Sequence, residues 1–216
     1  MGLSNSNPSC PLCQSSSSFF HKDFRRHYFK CDTCSLVCIN QDSLPSIETE
    51  KAQYDLHENR PDDLNYQNFL NRLAEPLLEK LNPNSSGLDF GCGPGPTLSL
   101  ILEEAGHRVS IYDPIYHPDI NLLSQSYDFI TATEVFEHLH QPAKDLKVLF
   151  NALHTGGWLG IMTKRLLDKE SFTKWHYIQD HTHVCFWSET TFQWLSKKWG
   201  SSVEFPGSDI VLIQKK

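Results

Sequence analysis

No run in this 216-residue chain comes near the roughly 20 consecutive apolar residues a helix needs to cross a bilayer, so a helical membrane span and a membrane partner are not expected. The first residues, MGLSNSNPSCPLC, lack both the basic stretch and the apolar core of a secretory leader, and a cytoplasmic protein is expected. Basic charge is also short. Lys and Arg number 19 against 26 Asp and Glu, and the formal net charge of -7 argues against a protein whose work is to coat nucleic acid. Internal repeats are missing, and Ser15–Ser18 is too short to form a low-complexity segment. Gly2 followed by Ser6 fits a myristoylation pattern only superficially, since many unmodified proteins share it.

Cysteine, by contrast, is concentrated. Five of the seven cysteines precede Asp42, and four of them form Cys10-Pro-Leu-Cys13 and Cys31-Asp-Thr-Cys34. In a reducing compartment two such pairs predict metal more than disulfides, and four thiolates on two tight knuckles match a closed tetrahedral zinc site. So short a segment buries little core of its own, so the metal would supply most of its folding energy. Cys38 reads as a core thiol. The hairpin between the pairs carries His21, Lys22, Arg25, Arg26, His27 and Lys30 among Phe19, Phe20, Phe24, Tyr28 and Phe29. That mixture can hold phosphates and stack bases. With Asp23, Asp32 and Asp42 beside it, a lid or scaffold over a substrate cleft is the preferred role, and RNA contact the alternative.

Composition divides the chain into a zinc-ribbon module at 1–42, a polar connector at 43–61 and a larger unit at 62–216. From Asp62, Leu64, Phe69, Leu70, Leu73, Leu77, Leu78 and Leu81 recur at helical spacing, and Pro76 inside the run predicts a kink or a split. Strands and helices then alternate: strands at Gly87–Phe90, Arg108–Tyr112, Tyr127–Thr133 and Trp158–Thr163, the last after a Gly156-Gly157 turn, and helices at Thr97–Ala105, Ala143–Leu153 and Ser188–Trp199. Ser202–Phe205 and Ile210–Gln214 predict a closing antiparallel hairpin. The pattern is that of an α/β fold, a Rossmann-like, mostly parallel sheet covered on both faces.

The first strand runs into Leu88-Asp89-Phe90-Gly91-Cys92-Gly93-Pro94-Gly95 and then a helix. Glycines there permit positive φ and let a ligand lie against bare backbone. The G-x-G-x-G spacing differs from the G-x-G-x-x-G that seats a pyrophosphate on a helix start. Asp89, two residues before the first glycine, suits a cationic ligand. S-adenosylmethionine, with a sulfonium, an ammonium and no phosphate, fits that description. Asp113 ends the second strand, where an acceptor can take both ribose hydroxyls.

From about Asp62 onward the chain resembles the class I S-adenosylmethionine-dependent methyltransferases. LDFGCGPGP is similar to their first motif, IYDP to their ribose-binding strand end, YDFITATEVFEHL to their fourth strand and LHTGGWLGIMT to the strand after the next helix. The resemblance implies that Asp89, Gly91, Cys92, Gly93, Gly95 and Asp113, with Glu134, hold the cofactor. The stretch between Asp113 and Tyr127 is too short for the family's usual helix and third strand, which leaves Asn121 and Ser124 as substitutes for its adenine ligand. The order of ribbon then catalytic domain also resembles some ribosomal-RNA methyltransferases.

Two clusters are suited to chemistry. Glu134-Val-Phe-Glu137-His138 follows a strand end, and on a helical turn its carboxylates and imidazole would share a face. Asp180-His181-Thr182-His183 precedes the last long helix. The Glu-x-x-Glu-His run resembles the metal-binding run of the ubiquinone-pathway O-methyltransferases and of the small-RNA 2′-O-methyltransferases, and His183 resembles the later histidine of the RNA enzymes, His181 less well. Glu134, Glu137, His138 and His183 are therefore the expected catalytic residues, with a second divalent ion as an option beside the structural zinc. Phe172, Trp175 and Tyr177 are candidates for a pocket wall or for core. His57, His107, His117, His140, His154 and His176 show no partner in sequence. The expected activity is methyl transfer to an O or N nucleophile of a small-molecule or macromolecular acceptor; an RNA methyltransferase and a non-catalytic cofactor-binding adaptor are the alternatives.

Overall fold

The computed structural model of the chain describes residues 7–56 and 59–216, so the Gly2/Ser6 pattern and His57 lie outside the described residues. Among the described residues ten strands form two sheets. The N-terminal part supplies β1 (Ser17–Lys22), β2 (His27–Cys31) and β3 (Val37–Ile39), each antiparallel to the next. This sheet takes its fourth strand, β8 (Cys185–Phe186), from the far end of the chain, with Val37 opposite Phe186 and Cys38 opposite Cys185.

The larger sheet has the order β5-β4-β6-β7-β10-β9. Here β4 is Ser86–Phe90, β5 Arg108–Tyr112, β6 Tyr127–Thr133 and β7 Leu153–Met162, all parallel. β9 (Ser202–Glu204) and β10 (Ile210–Gln214) close it antiparallel, as the sequence predicts. The expected α/β fold with a mostly parallel Rossmann-like sheet is what the chain adopts. Between β5 and β6 the short connection makes only a 3-10 turn, Ile120–Ser124, so β5 is an edge strand. The Gly156-Gly157 pair is not a turn before a strand. It lies inside β7, where Gly156 takes φ +84° and the step from Leu153 to Trp158 faces only Tyr127 to Phe129 on β6, a bulge.

Period-two alternation places the two faces. On one side, Phe129, Ile210 and Leu212 pack with Leu70, Leu73 and Leu77 of α2 (Leu64–Leu78) and Leu98 and Leu102 of α3 (Thr97–Glu104). On the other, Ile130, Val211 and Ile213 pack with Leu146 and Leu149 of α4 (Pro142–Ala152) and Phe192 and Leu195 of α6 (Glu189–Trp199). That second core is continuous with the N-terminal sheet through Tyr28, Val37, Phe186, Trp187 and Phe172, the last in α5 (Lys169–Thr173). The polar stretch after β3 contains α1 (Ile47–Tyr54), whose start Ser46 caps by accepting from the Thr49 amide. α2 begins at an Asp63 cap and runs through Pro76 unbroken. The proline stands in the last turn, where it withdraws one late hydrogen bond instead of splitting the helix, and the helix ends before Leu81. Ser188 caps α6 as expected, and Gly200 at φ +63° ends it.

Gly87 on β4 lets the sheet and the Phe129 ring meet. A Cβ there would come within 2.1 Å of that ring. Gly87→Ala should therefore cost about 1–3 kcal/mol by overpacking, seen as a lower urea midpoint with an unchanged m-value.

Candidate active site

One cavity of about 680 Å³ opens at the carboxyl ends of β4, β5 and β6, where the sequence places the glycine loop, Asp113 and the Glu134 segment. Its first end is built on backbone. Gly91 and Gly93 take φ +74° and +65°, and a Cβ on Gly91 would strike the Val135 side chain at 2.4 Å. The Gly91 amide donates to the Tyr112 carbonyl at 2.7 Å, tying the loop to the end of β5. Asp89 is buried and accepts from the Thr131 hydroxyl at 2.8 Å; burial pushes its carboxyl up to about 6. Asp113 accepts from the Gly93 amide at 3.2 Å through one oxygen, and from the Ile115 and Tyr116 amides at 2.8 and 3.0 Å through the other. It thus serves as a turn former and faces the cavity as well. Cys92 lines the same wall, its thiol pushed well up by burial. Asn121 and Ser124 do not line it. Asn121 turns back onto Asp119, and Ile120 and Leu123 are the residues of that turn that face the cavity.

The second end gathers Glu134, Glu137, His138 and His183. They do not share a helical face: Glu134 stands at φ +52°, before a 3-10 turn spanning Phe136–His138, so its carboxylate reaches the site from a different direction. Left-handed backbone in a non-glycine residue is a strain that the surroundings must hold, here with the Glu134 amide on the Met162 carbonyl at 2.8 Å. Glu137 is wholly buried and accepts from the Tyr177 hydroxyl at 2.5 Å and the Thr163 hydroxyl at 2.8 Å.

Both histidines are held by carbonyls. A carbonyl only accepts, so Nδ1 of His138 donates to Thr182 at 3.1 Å and Nδ1 of His183 donates to Tyr177 at 2.7 Å. When neutral, each ring then carries its free lone pair on Nε2. The rings lie 4.8 Å apart between centroids, and ligand atoms of Glu137, His138 and His183 fall within 4.8 Å of one another. Burial pushes His183 down to about 4. His181 is not part of the cavity wall. Phe172, Trp175 and Tyr177 are not wall residues either; Phe172 packs on Tyr28 and Phe186, and Trp175 stacks on Tyr177.

Sequence reasoning missed the wall that α1 and α2 provide. Glu50, Tyr54, Asn59, Tyr66 and Phe69 line the cavity, and Glu50 pairs with His140 at 2.9 Å. Their segment carries no hydrophobic periodicity at α1, so nothing in the sequence marked it as wall. Among the described residues, none from β1 to β3 lines the cavity, so the N-terminal sheet is no lid.

Away from the cavity, Cys10, Cys13, Cys31 and Cys34 converge with their sulfurs within 4.8 Å. The two knuckles repeat one geometry: Gln14 and Ser35, each following a second cysteine, take φ +63° and +62°, and their amides donate back to the carbonyls of Cys10 and Cys31. Amides of Leu12, Thr33 and Cys34 point at sulfur at 3.4 Å, which favours thiolate. Cys38 lies outside this group, buried in β3.

A family model described as a methyltransferase domain matches residues 57–204. A comparison with curated proteins finds no match. Among solved structures the chain is similar to the magnesium protoporphyrin IX methyltransferase of Synechocystis PCC 6803 with bound SAH, at 14% identity over 82% of this chain and 98% of that one, TM-score 0.54. The same enzyme with bound SAM gives 14% identity, 82% and 95% coverage and TM-score 0.52. An O-methyltransferase family protein of Burkholderia thailandensis gives 12% identity, 77% and 63% coverage and TM-score 0.51.

Burial and the neighbouring Glu137 carboxylate push the Glu134 carboxyl up to about 9. In metal-free protein the folded state then keeps a proton that the unfolded chain loses above the ordinary 4.5, so stability falls as pH rises toward 9. Glu134→Gln should flatten that fall above about pH 7, where His183 contributes a constant; urea unfolding at several pH values checks it, and an unchanged slope would count against the assignment.

With a family model matching 148 consecutive residues (57 through 204) and a cavity built on its glycine loop, the chain belongs to the methyltransferase-domain family and is an S-adenosylmethionine-dependent methyltransferase.

Proposed function

We propose that the enzyme passes its methyl group to an oxygen or nitrogen nucleophile held against Glu134, Glu137, His138 and His183. The observation that carries this reading is that a single cavity is lined by the glycine loop and Asp113 at one end and by these four side chains at the other. When bound, S-adenosylmethionine supplies an electrophilic methyl on a sulfonium. The residues present fit it. Gly91, Gly93 and Gly95, with Cys92 between them, present backbone without side chains, Asp89 and Glu134 would meet cationic centres with carboxyl groups, and the Asp113 carboxylate, held by three amides, would accept from ribose hydroxyls.

The chain's own part in the reaction is to align, deprotonate and keep out water. His183 is neutral near pH 7, with Nε2 free to take the acceptor's proton as it is methylated. His138 is set in the same tautomer by Thr182. Tyr54, Tyr66 and Phe69 wall the cavity with apolar surface.

A divalent ion fits the second end. Two Nε2 lone pairs, the Glu137 carboxylate and a buried Glu134 Oε1 without a partner among the described residues make a donor set for a hard or borderline cation. The carbonyls on Nδ1 are the outer partners such ligands use. In that second reading Glu137, His138, His183 and Glu134 would hold the ion, in place of His183 acting as the base, and its chemistry would be to lower the pKa of an acceptor hydroxyl. Cys10, Cys13, Cys31 and Cys34 would hold zinc in a ribbon module, 1–42, ahead of the connector 43–61 and the methyltransferase domain 62–216.

Calorimetric titration with S-adenosylmethionine should give close to one equivalent, and Gly93→Asp should weaken it by about 100-fold or more, through a side chain forced onto left-handed backbone where the ligand needs bare backbone; undiminished binding would sink the cofactor assignment. Elemental analysis of purified protein should find one zinc per chain, lost in Cys31→Ser with a fall in thermal stability. Methyl transfer that rises with added manganese or magnesium in the parent and not in His138→Ala would support the second ion, and transfer indifferent to both would remove it.

A further inference from the structure

Arg26 lies in the turn between β1 and β2, far from the cavity in sequence and absent from its lining. Its side chain is nonetheless buried, 7% exposed, and among the described residues no carboxylate makes an ion pair with it. Burying an unpaired guanidinium is unfavourable unless its donors are satisfied. Its Nη donors are satisfied on one short stretch of backbone, while Nε is buried with no hydrogen-bond partner among the described residues. Nη1 donates to the carbonyls of His181 and His183 at 3.0 and 2.9 Å, and Nη2 to those of Ile178 and Asp180 at 2.8 and 3.0 Å.

Those four carbonyls belong to the irregular segment that sets both active-site rings. Tyr177, next to Ile178, supplies the carbonyl that orients His183. Thr182, between the two residues pinned through Nη1, supplies the carbonyl that orients His138. The segment has little regular hydrogen bonding of its own: one 3-10 turn, His176–Gln179, and then a loop that ends at β8. A planar fork of fixed donors is the side chain suited to gathering several carbonyls at once. Arg26 is itself placed. The Asp23 carboxylate accepts from the Arg25 and Arg26 amides at 2.7 and 2.6 Å and from the Tyr28 hydroxyl at 2.7 Å, and the guanidinium stands 5.4 Å over the Tyr28 ring. Pairing of β3 with β8, and the Ile39 amide on the Val184 carbonyl at 3.1 Å, hold the next residues of the same chain.

We infer that Arg26 is a positioning residue for methyl transfer: through four backbone carbonyls it holds the 177–183 segment so that the imidazoles of His138 and His183 keep their Nδ1–H bonds and present Nε2 to the acceptor. The inference rests on the proposed role of those histidines. It makes the N-terminal sheet part of the catalytic apparatus without touching substrate or cofactor.

The test uses full-length protein labelled with ¹⁵N-histidine, with the Nδ1–H signals of His138 and His183 assigned by loss in His138→Gln and His183→Gln. Arg26→Ala should broaden or abolish both signals while S-adenosylmethionine affinity changes by less than about threefold, because the glycine loop is not touched. Arg26→Lys should fail to restore them, since an ammonium cannot fork across four carbonyls. Arg25→Ala, which loses one exposed bond to the Gln179 carbonyl, should leave them in place. Signals unchanged in a folded Arg26→Ala protein would overturn the inference, as would their loss only in step with cofactor binding. Should Arg26→Ala fail to fold, Arg26→Gln and Arg26→Lys read in the same way decide it. A wrong catalytic role for the histidines shows separately, as transfer that survives His183→Ala.

Discussion

The second end of the cavity is arranged around one costly object, the carboxyl group of Glu137, which has no exposure to solvent at all. A carboxylate in that position must find its donors within the protein. It takes one from Thr163, at the end of β7, and one from Tyr177, in the segment before β8. The Glu137 carbonyl accepts from Val184 at 2.7 Å, and the neighbouring Phe136 carbonyl from the Trp187 indole at 2.8 Å. Satisfying this turn therefore draws the end of β7, the 177–183 segment and β8 into one place. His138 and His183 meet because of it.

That convergence is then braced from outside the main sheet. β8 is two residues long and could not persist as an isolated strand. It has β3 for a neighbour, and the core around Phe172, Phe186 and Trp187 continues into the cysteine-bearing sheet without a gap. The N-terminal sheet thus stands behind the histidine segment, outside the cavity. From it Arg26 donates to four carbonyls of the histidine segment, while α1 and α2 wall the cavity itself.

How much of this was legible in the sequence follows from the range of the forces involved. In the main sheet, β4, β5, β6, β9 and β10 were readable to within a residue or two because alternation and glycine or proline punctuation are local signals. β7 was the exception, since a positive-φ glycine inside a strand reads as a turn until its partner is seen. The glycine loop, Asp89 and Asp113 were readable for the same local reason. Glu137, His138 and His183 could be nominated but not joined: 44 residues lie between His138 and His183, and only the fold brings their rings to 4.8 Å.

By itself the sequence determined the chain of local choices: two cysteine knuckles, a strand–glycine loop–helix with an acidic residue before it, a shortened connection after Asp113, and the alternation that makes a parallel sheet. Each depends on residues a few positions apart, where sterics and hydrogen bonding act directly. The tertiary structure alone decided that β8 would leave the main sheet and pair with β3, that Glu134 would enter from left-handed backbone, that Glu50 and Tyr54 would wall the cavity, and that a buried guanidinium from the first hairpin would gather the carbonyls beside His183. Those outcomes come from satisfying buried polar groups across long stretches of chain, a requirement that has no period and no spacing to be read.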